Sequence, residues 1–321
     1  MDQVIAVDLG ATRIRCAAVS ENGDILNKLE QDTPRIGDSG MAVTSLIADM
    51  VAGLLADSKA LGIGISSAGP IDMAAGEVVC SPNLAYTRIP LTAPLNMRFG
   101  LPVFLQNDGT CGVIGEHWMG SAQGHEHAVY ITISTGLGGG VMVDGRPIYG
   151  RGGNAGEIGH FFVDDRYRLP CRCGETGHWE AYAAGSNLPT FFAIFSTANG
   201  HPVREEWAAD AKGIFEAAEK GNQDVRAFMD TLGEINARGV SDVIVAYDPE
   251  IIILDGGVAR NHSEKIIRAL LPYLDEYLSP PLFKRTGLEG NAPLLGAARS
   301  AFDTIGLESG QQNQRFLTLP P

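Results

Sequence analysis

A short polar motif, Asn107-Asp108-Gly109, follows the apolar segment 102–106. A carboxylate at the end of a strand can act as a general base if it lies within hydrogen-bond reach of a substrate hydroxyl. An Asx-Gly pair also commonly forms a turn or caps a helix. These three residues alone are consistent with both roles, so the neighbouring motifs have to decide between them.

Three glycine-bearing segments could hold a nucleotide. Asp8-Leu-Gly10-Ala-Thr12 combines a carboxylate suited to Mg²⁺ with a hydroxyl and with a glycine that permits close approach to the backbone. The segment 134–140 exposes amides and hydroxyls, in a spacing that is neither Walker A nor dinucleotide-binding. Gly256-Gly257 follows the apolar segment 251–255 and could admit the flat face of adenine. Each is by itself more often an ordinary turn; together they supply what phosphoryl transfer requires around the phosphates.

A polar loop carries two cysteines, Cys171 and Cys173, with His160 upstream and His178 downstream. Two thiolates and two imidazoles form a suitable tetrahedral ligand set for Zn²⁺. The alternative is a pair of free thiols. Because both histidines are near, we predict a structural zinc that orders the loop.

The elements that must position these groups are repeated along the chain. Segment 4–20 reads as a strand, a glycine-bearing turn and a second strand, followed by a turn at Asn22-Gly23. Segment 129–143 has the same order and is followed by Asp144-Gly145. One such hairpin could arise by chance, but two predict a pair of related lobes. A chain of 321 residues also exceeds the size at which one core keeps growing, so we expect a cleft between lobes.

Other strand patterns alternate with helical ones, which indicates α/β architecture. The additional strands are predicted over residues 61–66, 102–106 and 251–255. Apolar spacing of three and four residues predicts helices over 43–55 and 225–247. We assign a small lobe to residues 1–112, a large lobe to 113–305 and a tail to 306–321, because the chain end shows no periodicity.

The composition excludes several function classes. With 38 acidic and 24 basic residues, the net charge of −14 would repel nucleic acid and anionic membrane surfaces. The first residues show no basic leader and no long apolar stretch, so neither export nor membrane insertion is expected. Five cysteines, an odd number, fit a reducing compartment. We therefore expect a cytoplasmic protein.

Taken in order, the motifs resemble those of the ROK family of sugar kinases, within the actin and hexokinase superfamily. The resemblance covers nearly the whole chain and rests on Asp8-x-Gly10-x-Thr12, 64–72, Asn107-Asp108, 134–140, Ala155-Gly-Glu-Ile-Gly-His160, Cys171-x-Cys173-Gly-x-x-Gly177, Glu180 and Gly256-Gly257. It implies a two-lobed actin-like (ribonuclease H-like) α/β fold with an internal duplication and ATP in the cleft between the lobes.

The resemblance also implies roles for individual residues. Asp108 would be the general base for phosphorylation of a sugar hydroxyl, and the sugar would be bound by Gly69, Asn107, Asp108, Glu157, His160 and Glu180. ATP with Mg²⁺ would contact Asp8, Gly10, Thr12, Arg13, Thr135, Gly136, Gly256 and Gly257. Zinc would be held by His160, Cys171, Cys173 and His178, and the second nitrogen of His160 could bond the sugar.

The chain departs from the family pattern at four places. Ala11 replaces a usual glycine, Arg13 a usual lysine, and His178 stands where the family usually has a cysteine. The segment 66–70 differs from the more common Pro-Gly-Pro form near the sugar pocket.

Several activities remain open at this point. The substrate is expected to be glucose, phosphorylated at O6, or an N-acetylhexosamine such as N-acetylglucosamine or N-acetylmannosamine, with fructose and allose further alternatives. Glu157 favours a glucose-configured sugar but does not decide whether an acetamide group is accepted. Family members that regulate transcription keep the sugar and zinc sites, but here the first motif begins at Asp8, which leaves no room for a preceding helix-turn-helix. A non-enzymatic actin-like ATPase would lack the sugar-binding residues. A homodimer or higher homo-oligomer is expected from the family.

Overall fold

The computed structural model describes residues 2–35, 39–56, 59–200 and 209–308, so most of the predicted tail lies outside the described residues. In chain order the strands are β1 (Gln3–Leu9), β2 (Arg13–Ser20), β3 (Ile25–Asp32), β4 (Ile63–Ser67), β5 (Ile71–Asp72), β6 (Glu77–Val79), β7 (Arg88–Pro90), β8 (Val103–Asn107), β9 (Ala128–Ile133), β10 (Leu137–Val143), β11 (Arg146–Pro147), β12 (Ile251–Asp255) and β13 (Leu282–Arg285). The described α-helices are α1 (Met41–Leu55), α2 (Thr92–Phe99), α3 (Asp108–Met119), α4 (Trp179–Ala183), α5 (Leu188–Ala198), α6 (Ala211–Glu219), α7 (Gln223–Tyr247), α8 (Gly257–Leu270) and α9 (Ala292–Glu308).

Two five-stranded mixed sheets have the same topology. The first has the order β3-β2-β1-β4-β8 and the second the order β11-β10-β9-β12-β13. In each sheet the first three strands in sequence form an antiparallel meander, and the remaining two strands run parallel to its first strand. The correspondence, strand for strand, agrees with the duplication predicted from the repeated hairpins. A small third sheet, β5-β6-β7, lies between β4 and α2 in the chain.

The first sheet is covered on both faces. All seven residues of β1 are buried, because α1 packs on one face and α9 on the other. The second sheet has its largest core cluster on the side of α4, α5 and α7, where Trp179, Phe191 and Phe228 are almost completely buried. Phe191 and Phe228 meet edge to face, with ring centroids 5.0 Å apart.

Helices α3 and α9 connect the two halves. Helix α3 packs against β9 and β10 of the second sheet, α9 packs against β1 and β4 of the first, and the two helices pack closely against each other. Glycine makes this approach possible, since a Cβ at Gly115 or Gly296 would collide with the backbone of the opposite helix. The predicted lobe boundary at residue 112 therefore falls inside a continuous helix, and the predicted start of the tail at 306 falls inside α9.

The longer predicted elements agree with the structure to within two residues. Helix α7 ends at Tyr247, where Asp248 takes the left-handed conformation and its N–H bonds back to Ile244. The strand predicted over 61–66 begins at Ile63 and extends to Ser67. Among the described residues, no helix is long and apolar enough to cross a membrane.

Candidate active site

A cleft of about 490 Å³ opens where strand ends of both sheets meet. Its wall includes Asp8 from β1, Asp108 just after β8, and Asp255 at the end of β12. All residues predicted to bind sugar or nucleotide line this cleft, although they come from positions 8 to 257 of the chain. The fold therefore assembles one site from motifs that are distant in sequence.

Asn107 and Asp108 have different structural roles at the start of α3. Asn107 caps the helix, since its Oδ1 accepts hydrogen bonds from the N–H groups of Gly109 (2.9 Å) and Thr110 (3.3 Å). Because Oδ1 is used in this way, the amide Nδ2 is directed to Glu157, where it donates to Oε1 at 3.2 Å. The helix-cap interpretation of Asn-Asp-Gly is thus correct for Asn107, and it leaves Asp108 free to face the cleft.

Among the carboxyl groups of the cleft, Asp108 has the most strongly shifted pKa. Burial, followed by the negative charges of Glu157 and Asp8, raises its pKa to about 7, whereas the bond from the Gly109 N–H to Oδ1 (2.8 Å) opposes the shift. A carboxylate with a pKa near neutral pH is suited to accept and release a proton.

Two further carboxylates face the same region. Burial raises the pKa of Glu157, which is also held by Asn107. Glu180 is buried, and its Oε2 accepts a hydrogen bond from the backbone N–H of Leu137 at 3.0 Å. This bond ties it to the second glycine hairpin, which is formed by β9 and β10. Gly69 lies against this group, because a Cβ there would come within 2.8 Å of Asn107 Nδ2 and 2.9 Å of Glu157 Oε1.

Asn154 joins the two halves beside this pocket, a function that the sequence patterns did not indicate. Its Oδ1 accepts from Ile71 N–H and its Nδ2 donates to Ile71 C=O, both at 2.8 Å. The amide thus holds the strand after Gly69 against the loop that carries Glu157. Since the pairing partner is 83 residues away, sequence spacing gives no sign of it.

His160, Cys171, Cys173 and His178 form a compact group next to Glu180. Their ligand atoms all lie within 4.8 Å of one another, with His160 Nδ1 3.2 Å from His178 Nδ1 and Cys173 Sγ 3.3 Å from His178 Nδ1. Metal bonds of about 2.0–2.3 Å in a tetrahedron separate neighbouring ligand atoms by roughly 3.3–3.8 Å. The two short distances are close to this spacing, so the four residues fit a zinc ion, for which His178 would supply a ligand atom in place of the usual cysteine.

The first glycine hairpin contains two arginines with different surroundings. Arg13, which the motif singled out, has a side chain that is 64% exposed and forms an ion pair with Glu30. Arg15 also lines the cleft, and its Nε donates to Asp8 Oδ2 at 3.0 Å. The sequence analysis missed Arg15, because only the pairing register of β1 with β2 places it directly opposite Asp8.

Asp255 supports the third glycine turn and was also missed. It is 1% exposed and accepts hydrogen bonds from Tyr130 Oη (2.9 Å), Arg260 Nη1 (2.9 Å) and the N–H of Gly256 (2.6 Å). These bonds hold the start of α8 at the edge of the cleft. Its position just before Gly256-Gly257 was the available sequence signal.

A second cavity of about 750 Å³ adjoins the cleft and shares Ser134, Thr135 and Gly257 with it. Its other wall is formed by α6 and α8, two helices that were not predicted. His262 interrupts the helical geometry of α8, and its ring stacks on Phe215 of α6 with centroids 4.0 Å apart. The polar residues that line this cavity include Asp210, Lys212, Glu216, Glu219, Asn261 and Lys265.

Comparison with known proteins identifies the family and the fold. A family model described as the ROK family matches residues 4–303. A glucokinase from Thermotoga maritima is 33% identical over 313 residues, which cover 91% of this chain and 97% of that protein. A glucokinase from Pyrobaculum calidifontis is 36% identical, over 87% of each chain. The crystal structure of a ROK family glucokinase from Streptomyces griseus in complex with glucose and AMPPNP is 30% identical, with a TM-score of 0.78, and covers 94% of this chain and 99% of that chain. The protein therefore belongs to the ROK family and has the two-lobed, actin-like fold of its sugar kinases.

Proposed function

We propose that the protein transfers the γ-phosphoryl group of ATP to the 6-hydroxyl of glucose, with Asp108 as the general base. The enzyme class is that of an ATP-dependent sugar kinase, because the glucokinases described above match nearly the whole chain. The observation that carries the proposal is the position of Asp108, which is close to Glu157 in a cleft that residues of the glycine hairpins also line.

The proposed reaction is an in-line displacement at the γ-phosphorus. The sugar oxygen attacks the phosphorus, its proton passes to a carboxylate oxygen of Asp108, and ADP leaves with the electrons of the broken P–O bond. Asp108 accepts this proton only when ionised. The raised pKa of about 7 keeps the group close to half-ionised at neutral pH, where a base also releases its proton readily after the transfer.

The sugar would be read by carboxylates that are already oriented. Glu157 is held by Asn107, and Glu180 by the Leu137 amide, so each presents a fixed acceptor to a ring hydroxyl. His160 lines the same cleft. Glu180 is bonded to the hairpin that is proposed to bind the phosphates. The sugar site and the nucleotide site would therefore share one wall of the cleft.

The nucleotide would occupy both cavities. The turn at Thr135 and Gly136 would donate backbone hydrogen bonds to the phosphates, and the second cavity, entered past Gly257, has room for the adenosine. Mg²⁺ bound to ATP would neutralise charge on the β- and γ-phosphate oxygens, with Asp8 nearby in the cleft.

The zinc ion would be held by Nδ1 of both histidines and by the two thiolates. Its ligand His160 also lines the cleft, so zinc would fix the orientation of a ring that contacts the sugar. The metal is therefore proposed to order the sugar site and to take no part in phosphoryl transfer.

A coupled ADP-release assay with a panel of sugars tests the proposal. We expect the highest kcat/KM with glucose, and lower values with N-acetylglucosamine, N-acetylmannosamine, fructose and allose. Phosphorus NMR of the product identifies the hydroxyl that is phosphorylated. A preference for an N-acetylhexosamine would correct the substrate, and no phosphorylation of any sugar would refute the kinase function.

A further inference from the structure

Arg15 is a basic residue in the cleft that the proposed reaction does not use. It lies on β2 directly opposite Asp8 of β1, and its side chain is 23% exposed. Both Nε and Nη2 donate to Asp8 Oδ2, the first at 3.0 Å. This two-pronged contact orients the carboxylate and gives it a fixed positive partner.

A third hydrogen bond anchors the same guanidinium to the other half of the molecule. Arg15 Nη1 donates to the backbone oxygen of Gly290 at 2.7 Å, 275 residues away. Gly290 lies between β13 and α9 with a φ of +83°, a conformation that favours glycine, and a Cβ there would come within 2.2 Å of Arg260 Nη1. The loop is itself held, because Thr286 donates to the buried Glu116 of α3. Arg15 is therefore fixed from both lobes.

These contacts occupy both oxygens of Asp8. Oδ2 accepts from Arg15, and Oδ1 accepts from the Ser66 hydroxyl at 3.2 Å. A magnesium ion prefers oxygen ligands in a strict octahedral arrangement. A cation placed on Oδ2 would be repelled by the guanidinium that is already there.

We propose that Arg15 is a positioning residue that acts as the permanent counter-ion of Asp8. It keeps Mg²⁺ from the Oδ2 of this carboxylate and supplies part of the positive charge that attracts the phosphates. The inference rests on the proposed binding of ATP in the cleft. It predicts that Arg15 controls how much nucleotide binding depends on the metal.

The chain supplies a matched control in Arg13. It belongs to the same hairpin and carries the same charge, but it is paired with Glu30 and has no contact with Asp8. A substitution of Arg13 by Gln therefore measures the general effect of losing one positive charge near the phosphates. Any further effect of Arg15→Gln belongs to its contacts with Asp8 and Gly290, and the Asp8→Asn background separates the two.

The test is the dissociation constant of ATP, measured by calorimetry without sugar, once in EDTA and once with excess Mg²⁺. In Arg15→Gln the freed carboxylate repels metal-free ATP and becomes available to Mg²⁺. The ratio of the dissociation constant in EDTA to that in excess Mg²⁺ should therefore rise about tenfold, the equivalent of about 1.4 kcal/mol. Arg13→Gln should change this ratio little. Arg15→Lys, which keeps the charge but loses the two-pronged contact, should give an intermediate ratio.

A double variant separates the pairing from other effects. In an Asp8→Asn background, Arg15→Gln should alter the ratio no more than Arg13→Gln does. An unchanged ratio in Arg15→Gln, or an equal increase in the Asp8→Asn background, would overturn the inference. If Arg15→Gln fails to fold, as judged by circular dichroism and thermal unfolding, Arg15→Lys and its double variant with Asp8→Asn decide by the same ratio.

The outcome is distinguishable from failure of the proposed function. A wild-type protein that binds ATP and phosphorylates glucose, but whose metal dependence is insensitive to Arg15, would overturn this inference alone. A wild-type protein that binds no ATP would overturn both.

Discussion

Replacing Asp108 by Asn should lower turnover and, at the same time, stabilise the folded protein above pH 7. The two effects have one origin. The cleft holds a carboxylate that is costly to ionise because it is buried close to Glu157 and Asp8. An amide of the same shape removes both the proton acceptor and that cost.

The size of the stability effect follows from the pKa. An increase from 3.8 to about 7 corresponds to about 4 kcal/mol of unfavourable free energy once the group is ionised. The cleft is open to water, which screens part of this, so we expect ~2 kcal/mol. Between about pH 4 and pH 7 the folded protein retains a proton that the unfolded chain releases, so wild-type stability falls as pH rises through this range. Asp108→Asn should therefore match the wild type near pH 4 and exceed it above pH 7.

Thermal unfolding measured from pH 4.5 to pH 8.5 gives the stability of both proteins. We expect a Tm about 3 °C higher for Asp108→Asn at pH 8 and a difference below about 1 °C at pH 4.5. Asp49→Asn is the control, because Asp49 is exposed and its pair with Arg98 should contribute less than about 1 kcal/mol at any pH.

Steady-state kinetics test the second effect. Turnover of Asp108→Asn should fall by about 10²–10⁴-fold, with little change in glucose binding. For the wild type, kcat/KM should decline as pH falls below about 7, since protonated Asp108 accepts no proton. Near-normal turnover of the variant would show that the base is another group. An equal stability difference at pH 4.5 and pH 8.5 would show that Asp108 is not the titrating carboxyl.

Three further predictions concern the sugar side of the cleft. Asn154→Ala removes two hydrogen bonds to Ile71 and should raise the KM for glucose about tenfold with a smaller change in kcat; equal losses in both would contradict a role in shaping the pocket. Cys173→Ser should lower the zinc content, measured by elemental analysis, and weaken glucose binding, whereas fully active wild-type protein without zinc would refute the ordering role. His178→Cys should retain zinc against a chelator at least as long as the wild type, and faster loss would mean that His178 is the better ligand in this loop.

Local patterns were sufficient for much of the fold. The two hairpins, helix α1 and helix α7 were predictable because their apolar residues recur at the period of a strand or a helix. Helix α6 was not predicted, and the stacking of Phe215 on His262 becomes visible only when α6 and α8 lie side by side. Strand ends were displaced by one or two residues, as for β4, because a strand stops where its neighbours stop bonding to it.

The sequence by itself determined the chemistry that is available: a carboxylate after β8, glycine turns after other strands, and two cysteines with two histidines at ligand spacing. Tertiary structure alone decided which groups meet. Arg15 faces Asp8 because of strand register, Asn154 bonds to Ile71 beside the pocket, and Asn107 turns its amide towards Glu157 after capping α3. The physical reason is that residue type and period report on local backbone and burial, whereas register and the meeting of strand ends depend on contacts between residues far apart in the chain.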